Sequence, residues 1–402
     1  FPEIDRVVCG EGEAAIAALC REEELPEDNG QLAMSELPRP DFDDYFRQAG
    51  RVFEGNPLTP EIPVEFSRGC WWNRCRFCNL NLQWQGYRRH RAEEVFRRVE
   101  YEAERGSLDF TFTDNVLPRD EAGRFFDLAG QSGRDYAFFA EVRAEQRSEF
   151  ARFRKGGLRE IQVGIEALSD SLLARMAKGG SVLANLAVMK KARACGISLS
   201  GNLICEFPGS TAAEVEETLA TIDLAWPYAP LDPAAFFLGD GSPIAADPAA
   251  YGIRAVLPHH AYAAILGHTL ARDLALPVRG YRGDRTEQKR FWQPVREKIA
   301  GWKEYHRQRL ARGKVGSSLT LRDGGSFLLI RQESADGRVL VHRLKGLSRE
   351  IYLAGTDVCR IEQLLASRPG LDSLRLISFL KELEDKKLLC RRGESFLSLA
   401  VR

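Results

Sequence analysis

Between residues 62 and about 240, short β-rich runs alternate with helical patterns, and that alternation limits the fold more than any other feature of the chain. Candidate strands lie at 62–66, 108–113, 136–141, 160–165, 198–205 and 234–238. Candidate helices between them cover about 91–105, 119–131, 145–155, 181–195 and 211–225. Ala184, Leu186, Ala187 and Val188 give the fourth helix an apolar face. Strand–helix repeats with buried strands imply a parallel sheet. Six repeats predict an α/β fold built as a partial, TIM-like (β/α)6 barrel, short of the eight repeats that close one. Polar residues at the C-terminal strand ends would then line the site.

Directly after the first strand comes SRGCWWNRCRFCNL (67–80), with the spacing Cys70-x4-Cys75-x2-Cys78. Three thiolates on one loop can hold three corners of a [4Fe–4S] cube and leave the fourth iron open. Electron-transfer clusters are usually held by four cysteines, so the loop suggests a reactive cluster. The alternative is a zinc knuckle with His90 as fourth ligand, an ordinary Cys3His set. The other six cysteines (Cys9, Cys20, Cys195, Cys205, Cys359, Cys390) are scattered, and each is by default a small buried hydrophobe.

The 57 basic and 57 acidic residues cancel, so no global field draws the chain to nucleic acid or membrane. Acidic stretches at 21–28 and 41–44 and a basic stretch at 282–314 read as solvated faces. No apolar run approaches the roughly 18 residues a bilayer span needs, and no signal-peptide pattern opens the chain. Nine cysteines in 402 residues is far below a disulfide scaffold, and a cytoplasmic location is the expectation.

Residues 1–22 read as a short strand, a Gly-Glu-Gly-Glu turn and a helix, the tail of a domain whose earlier part lies upstream. The expected organisation is a remnant at 1–24, a proline-bearing linker at 25–60 (Pro26, Pro38, Pro40, Pro57, Pro60) and a core barrel at 61–245. A helical extension follows at 246–315, with a long stretch over 284–313 interrupted at Pro294. Residues 316–402 carry strands, three helices and a hairpin turning at Gly393, a small winged-helix-like α+β domain.

The cysteine loop after the first strand of a partial barrel resembles the radical S-adenosylmethionine (SAM) enzymes. That resemblance implies an open iron that chelates SAM, and reductive cleavage of SAM to a 5′-deoxyadenosyl radical that takes hydrogen from substrate. Phe77 and Asn79 fall beside the last cluster cysteine, Phe77 matching the aromatic near the adenine. FTFTDN places Thr113, Asp114 and Asn115 where the family contacts the SAM amino group. Glu141 and Arg143 end the third strand, and Glu166 in IQVGIEAL is placed to reach the ribose or the methionyl carboxylate. SGNLICEFPGST resembles the segment whose apolar residues flank the adenine, here Leu203 and Ile204. Cys205 and Glu206 stand where a glycine is common, which makes Cys205 a candidate hydrogen-atom donor beside its packing role. The x4 first gap also departs from the usual x3.

Three places narrow the resemblance to the ribosomal-peptide maturation group: SRGCWW, the segment 238–262 with Tyr251, Gly252, His259 and His260, and the terminal domain. Residues 5–19 are similar to the last strand and helix of a cobalamin domain, which adds cobalamin to the [4Fe–4S] cluster and SAM as an implied cofactor. Its ligand is open, since no Asp-x-His-x-x-Gly motif occurs. The resemblance implies C-methylation of a peptide at an unactivated carbon, with cobalamin-independent epimerisation or crosslinking as the alternative. It also implies a precursor peptide bound by the terminal domain and a reductant such as flavodoxin or ferredoxin. A zinc-bearing regulator that binds DNA through its winged helix is the reading from another class.

Overall fold

The structure, a computed structural model, describes residues 4–8, 10–25, 32–55, 58–84, 86–274, 276–334 and 336–402. Cys9, Pro26 and Pro57 of the sequence reading lie outside the described residues. The chain divides into two compact units, the first made of residues up to 73, 78–142 and 151–160.

In the first unit β1 (Glu61–Val64), β2 (Asp109–Phe112) and β3 (Ala137–Val142) run parallel, with Ile62 opposite Phe110 and Phe110 opposite Phe138. Burial alternates along each strand, as a pleat with one core face demands. Helices α1 (Ala92–Glu104) and α2 (Ala122–Gln131) cover that face with Val95, Val99, Phe125 and Phe126. Phe112, Phe125, Phe126 and Phe138 pack edge-to-face or stacked, the closest centroids 5.2 Å apart. Each such ring contributes about 1.5–3 kcal/mol of apolar burial. The packing leaves no slack at Gly156, where an added Cβ would lie 2.2 Å from the Phe126 carbonyl oxygen.

Residues 4–8 form no strand, while the expected N-terminal helix spans Glu13–Cys20. That segment is fastened by charge: Arg68 of the cysteine loop pairs with Glu11 at 2.6 Å and Glu13 at 2.5 Å.

β4 (Leu158–Val163) begins in the first unit and ends in the second. In the second unit β5 (Ser198–Ser200) leads into β6 (Asn202–Cys205), which runs parallel to β7 (Asp232–Ala235). Helix α3 (Val182–Cys195) starts at Ser181, whose hydroxyl accepts the Ala184 N–H. It stops at Gly196, which takes the left-handed φ of 65° that ends many helices. Helix α4 (Ala212–Ala225) opens with a capping box between Thr211 and Glu214.

The long helix α5 (Arg285–Ala311) runs unbroken through Pro294, contrary to the expected interruption. Proline forfeits one helical hydrogen bond, and the buried stripe Trp292, Val295, Ile299 and Trp302 holds the helix across it. Trp302 also donates its indole N–H toward the Trp226 and Tyr228 carbonyls, each at 3.2 Å.

The C-terminal part of this unit opens with an antiparallel sheet of β8 (Leu319–Asp323), β9 (Phe327–Glu333) and β10 (Val339–Lys345). Next come α6 (Gly346–Ala354), β11 (Cys359–Arg360), α7 (Ile361–Ala366) and α8 (Ser373–Asp385). A hairpin of β12 (Leu389–Arg392) and β13 (Ser395–Ser398) turns at Gly393. β11 pairs with β13, so helix, strand, two helices and hairpin follow in winged-helix order. The chain thus carries the α/β order of a partial (β/α)6 barrel followed by a winged-helix-like α+β segment.

Candidate active site

In the first unit the chain leaves β1 through Ser67–Arg68, which pair with Arg88–Arg89. Gly69 then takes a φ of +81°, and an added Cβ would lie 2.5 Å from the Gly86 carbonyl oxygen. Only glycine permits this approach, and it delivers the chain to Cys70. Trp71 next to it donates its indole N–H to the Leu117 carbonyl at 3.4 Å.

In the second unit the segment 74–77, which carries Cys75 and Phe77, is held through Arg76. The Arg76 N–H donates to the Met176 carbonyl at 3.0 Å, and its own carbonyl accepts the Ile244 N–H at 3.1 Å. The Arg76 guanidinium donates to the Tyr251 hydroxyl at 3.1 Å, and the Tyr251 ring packs on Phe207.

Cys70, Cys75 and Cys78 are each partly exposed. Among the described residues no three Cys, His, Asp or Glu side chains are already gathered into an ion cage. The donor set itself fits a three-point [4Fe–4S] ligand set, because three soft thiols on one loop are what such a cluster takes. His90 has another occupation. Its buried ring lies 3.1 Å from Glu94 through Nδ1 and 3.1 Å from the Arg98 guanidinium through Nε2. Burial, with Arg98 adding to it, lowers its pKa. Both ring nitrogens face partners of helix α1, which disfavours the zinc knuckle.

At the end of β2, the Thr113 N–H donates to the Val64 carbonyl at 3.0 Å. Asp114 is buried, and its carboxylate accepts the Phe66 N–H at 3.0 Å and the Ser67 hydroxyl. Burial pushes this carboxyl up to about 7 against the pull of those two donors. Asp114 therefore fixes the exit of β1, while Thr113 is exposed and Asn115 half-buried. The Glu141 carbonyl accepts the Leu117 N–H at 2.9 Å, so the Trp71 and Glu141 contacts meet on one residue. Asn79 is half-buried and opens a short 3-10 turn by accepting the Leu82 N–H.

The second unit brings Arg143 and Glu166 into one polar group, and it adds two residues that sequence reasoning missed, Glu145 and Lys178. Arg143 donates to Glu145 at 2.9 Å and to the Lys178 carbonyl at 2.6 Å. The Lys178 ammonium lies 3.2 Å from Glu166 Oε1. Glu166 itself sits in the left-handed region at φ +62°, bridged to Leu203 of β6. Leu203 and Cys205 are fully buried, and Ile204 nearly so. Burial pushes the Cys205 thiol up to about 12. Glu206, also left-handed at φ +65°, pairs with Arg296 of α5 at 2.6 Å, a further partner no sequence signal marked. His259 caps the helix His260–Leu266 by accepting the Ala261 N–H.

Residues 64–222 match the model of the Radical SAM superfamily. It is 30% identical over 252 residues to an uncharacterised methyltransferase of Pyrococcus horikoshii, covering 54% of this chain and 52% of that protein. It is 26% identical over 224 residues to the hopanoid C-3 methylase of Methylococcus capsulatus, covering 50% and 43% respectively. The chain thus spans about half the length of these curated relatives. A solved structure of the radical SAM methyltransferase TsrM from Kitasatospora setae, with tryptophan substrate and a SAM analogue bound, aligns with a TM-score of 0.46. The identity there is 17%, over 59% of this chain and 52% of that one. No helix among the described residues is long and apolar enough to cross a membrane.

Proposed function

We propose that this protein is a radical SAM methyltransferase that adds a methyl group to an unactivated carbon of a peptide, with cobalamin as methyl carrier. One observation carries the reading. Three cysteines on the loop after β1 lie inside the segment that matches the Radical SAM model, in a chain whose matched relatives are named a methyltransferase and a methylase.

When bound, the cluster supplies the electron that cleaves SAM, and methylcobalamin supplies the methyl group. The protein binds and orients. Cys70, Cys75 and Cys78 are the thiolate ligands, Phe77 and Asn79 flank the adenine side, and Thr113 and Asn115 offer polar contacts above a β1 exit that Asp114 holds. Glu141 and Arg143 close the third strand end. Glu166 accepts from the ribose hydroxyls: an anion is suited to hydroxyl donors and repelled by the methionyl carboxylate. Leu203 and Ile204 form the apolar wall. A reductant such as flavodoxin or ferredoxin delivers the electron.

The peptide part rests on β10. β9 covers one side of it, and Val339, Leu340 and Val341 are 44%, 53% and 63% exposed. The opposite margin of the sheet is occupied, since Leu321 donates to the Val401 carbonyl and Val401 to the Leu319 carbonyl. An exposed apolar strand at a sheet edge is a template for an added strand.

The test is turnover with cobalamin, SAM, reductant and a panel of peptides, read by mass spectrometry. A gain of one methyl on a peptide carbon, with S-adenosylhomocysteine and 5′-deoxyadenosine formed, supports the proposal. Modification without methyl gain would instead establish epimerisation or crosslinking.

A further inference from the structure

The main chain of Glu166 is fixed on both sides. Its N–H donates to the Asn202 carbonyl at 3.0 Å, and its carbonyl accepts the Ile204 N–H at 2.8 Å. These bonds set where the side chain begins and leave its end free to rotate. The end is set by Lys178, whose ammonium lies 3.2 Å from Oε1. The two side chains are only 12% and 17% exposed, so solvent screens the pair weakly.

Lys178 is in turn held from two directions. Its N–H donates to the Leu173 carbonyl at 3.1 Å, and its carbonyl accepts from Arg143 at 2.6 Å. Room for the ion pair comes from Gly164, where an added Cβ would stand 2.5 Å from the ammonium and 3.3 Å from Oε1. A missing side chain, a fixed lysine and a main-chain-pinned glutamate therefore converge on one carboxylate oxygen.

We infer that Lys178 is a positioning residue for SAM: it fixes the direction of the Glu166 carboxylate and, through its carbonyl, the Arg143 guanidinium. The inference rests on the reading of Glu166 as a SAM contact. Lys178 engages Oε1, so the carboxylate it holds would meet SAM through its other oxygen. Pre-orientation of a binding group removes an ordering cost from association, so its loss weakens SAM binding more than it slows the chemistry of bound SAM.

The experiment is SAM affinity by calorimetry on the cluster-loaded full chain, alongside KM and kcat for 5′-deoxyadenosine formation. Lys178→Met is expected to weaken SAM about tenfold with kcat within about twofold, and Lys178→Arg to recover most of the affinity. Gly164→Ala keeps both charged side chains yet displaces the ammonium, and it is expected to reproduce the loss. This variant also decides the matter if Lys178→Met fails to fold. Unchanged affinity in Lys178→Met or in Gly164→Ala overturns the inference. If Glu166→Gln loses affinity while those variants do not, the inference falls and the reading of Glu166 stands. If the wild type binds no SAM, both fall.

Discussion

Lys190 of α3 and Ser398 of β13 are 208 positions apart, yet the Lys190 ammonium donates to the Ser398 carbonyl at 2.6 Å. It also donates to the Thr356 carbonyl at 2.8 Å, from a buried position beneath the terminal segment. Tyr228 adds a second tie by donating its hydroxyl to the Leu399 carbonyl at 2.6 Å. The winged-helix-like part is thereby tied to α3 and to the segment that follows α4.

Replacing Lys190 with methionine leaves two buried carbonyls without their donor. The expected cost is about 2–4 kcal/mol, measured by denaturant unfolding, with faster amide exchange in 356–398. A pH signature accompanies it. Burial lowers the Lys190 pKa from 10.5 to about 8, so between those values the folded state holds fewer protons than the unfolded one. Wild-type stability therefore gains about 1.4 kcal/mol per unit over Lys190→Met as pH rises through that window. A parallel pH dependence in the two proteins would contradict the account.

Asp114 has the opposite sign. Its carboxyl is pushed from 3.8 up to about 7, so the folded state keeps a proton that the unfolded state releases between those values. Its contribution to stability is full below about pH 4 and falls as pH rises toward 7, by about 1.4 kcal/mol per unit. Asp114→Asn is expected to flatten that slope in thermal unfolding between pH 4.5 and 7.

Cys205→Ala separates two chemistries. Methyl transfer needs no hydrogen-atom donor to the substrate radical, so the variant is expected to keep product formation within about threefold and to lose about 1 kcal/mol of stability. Loss of product with SAM cleavage intact would assign the thiol a chemical role.

On β10, Leu340→Lys and Val341→Lys alter exposed side chains and are expected to shift stability by no more than about 0.5 kcal/mol. Peptide affinity, measured by fluorescence anisotropy, is expected to fall at least about fivefold, with peptide-independent SAM cleavage unchanged. Equal affinity would remove the edge strand from peptide recognition.

The strand–helix alternation was readable because buried strands and amphipathic helices differ in period, and the expected segments match the observed ones to within a few residues. The helix around Pro294 was misread because proline's local cost is visible in sequence, whereas the opposing burial of Trp292 and Trp302 is tertiary. The cysteine loop could be located by spacing, and the strand-end residues through the resemblance to the radical SAM enzymes. Their partners could not: Lys178 reaches Glu166, and Arg296 reaches Glu206, from elements whose approach only the fold defines. Asp114 shows the same limit, since sequence placed it at a strand end but not its bonds back to Phe66 and Ser67.

The most direct test of the central claim is anaerobic reconstitution followed by iron, sulfide and zinc analysis, with 5′-deoxyadenosine measured after SAM and reductant are added. About four irons per chain and 5′-deoxyadenosine formation, both abolished by Cys75→Ala, are the predicted result. Stoichiometric zinc in place of iron, or a confirmed cluster that never cleaves SAM, would contradict it.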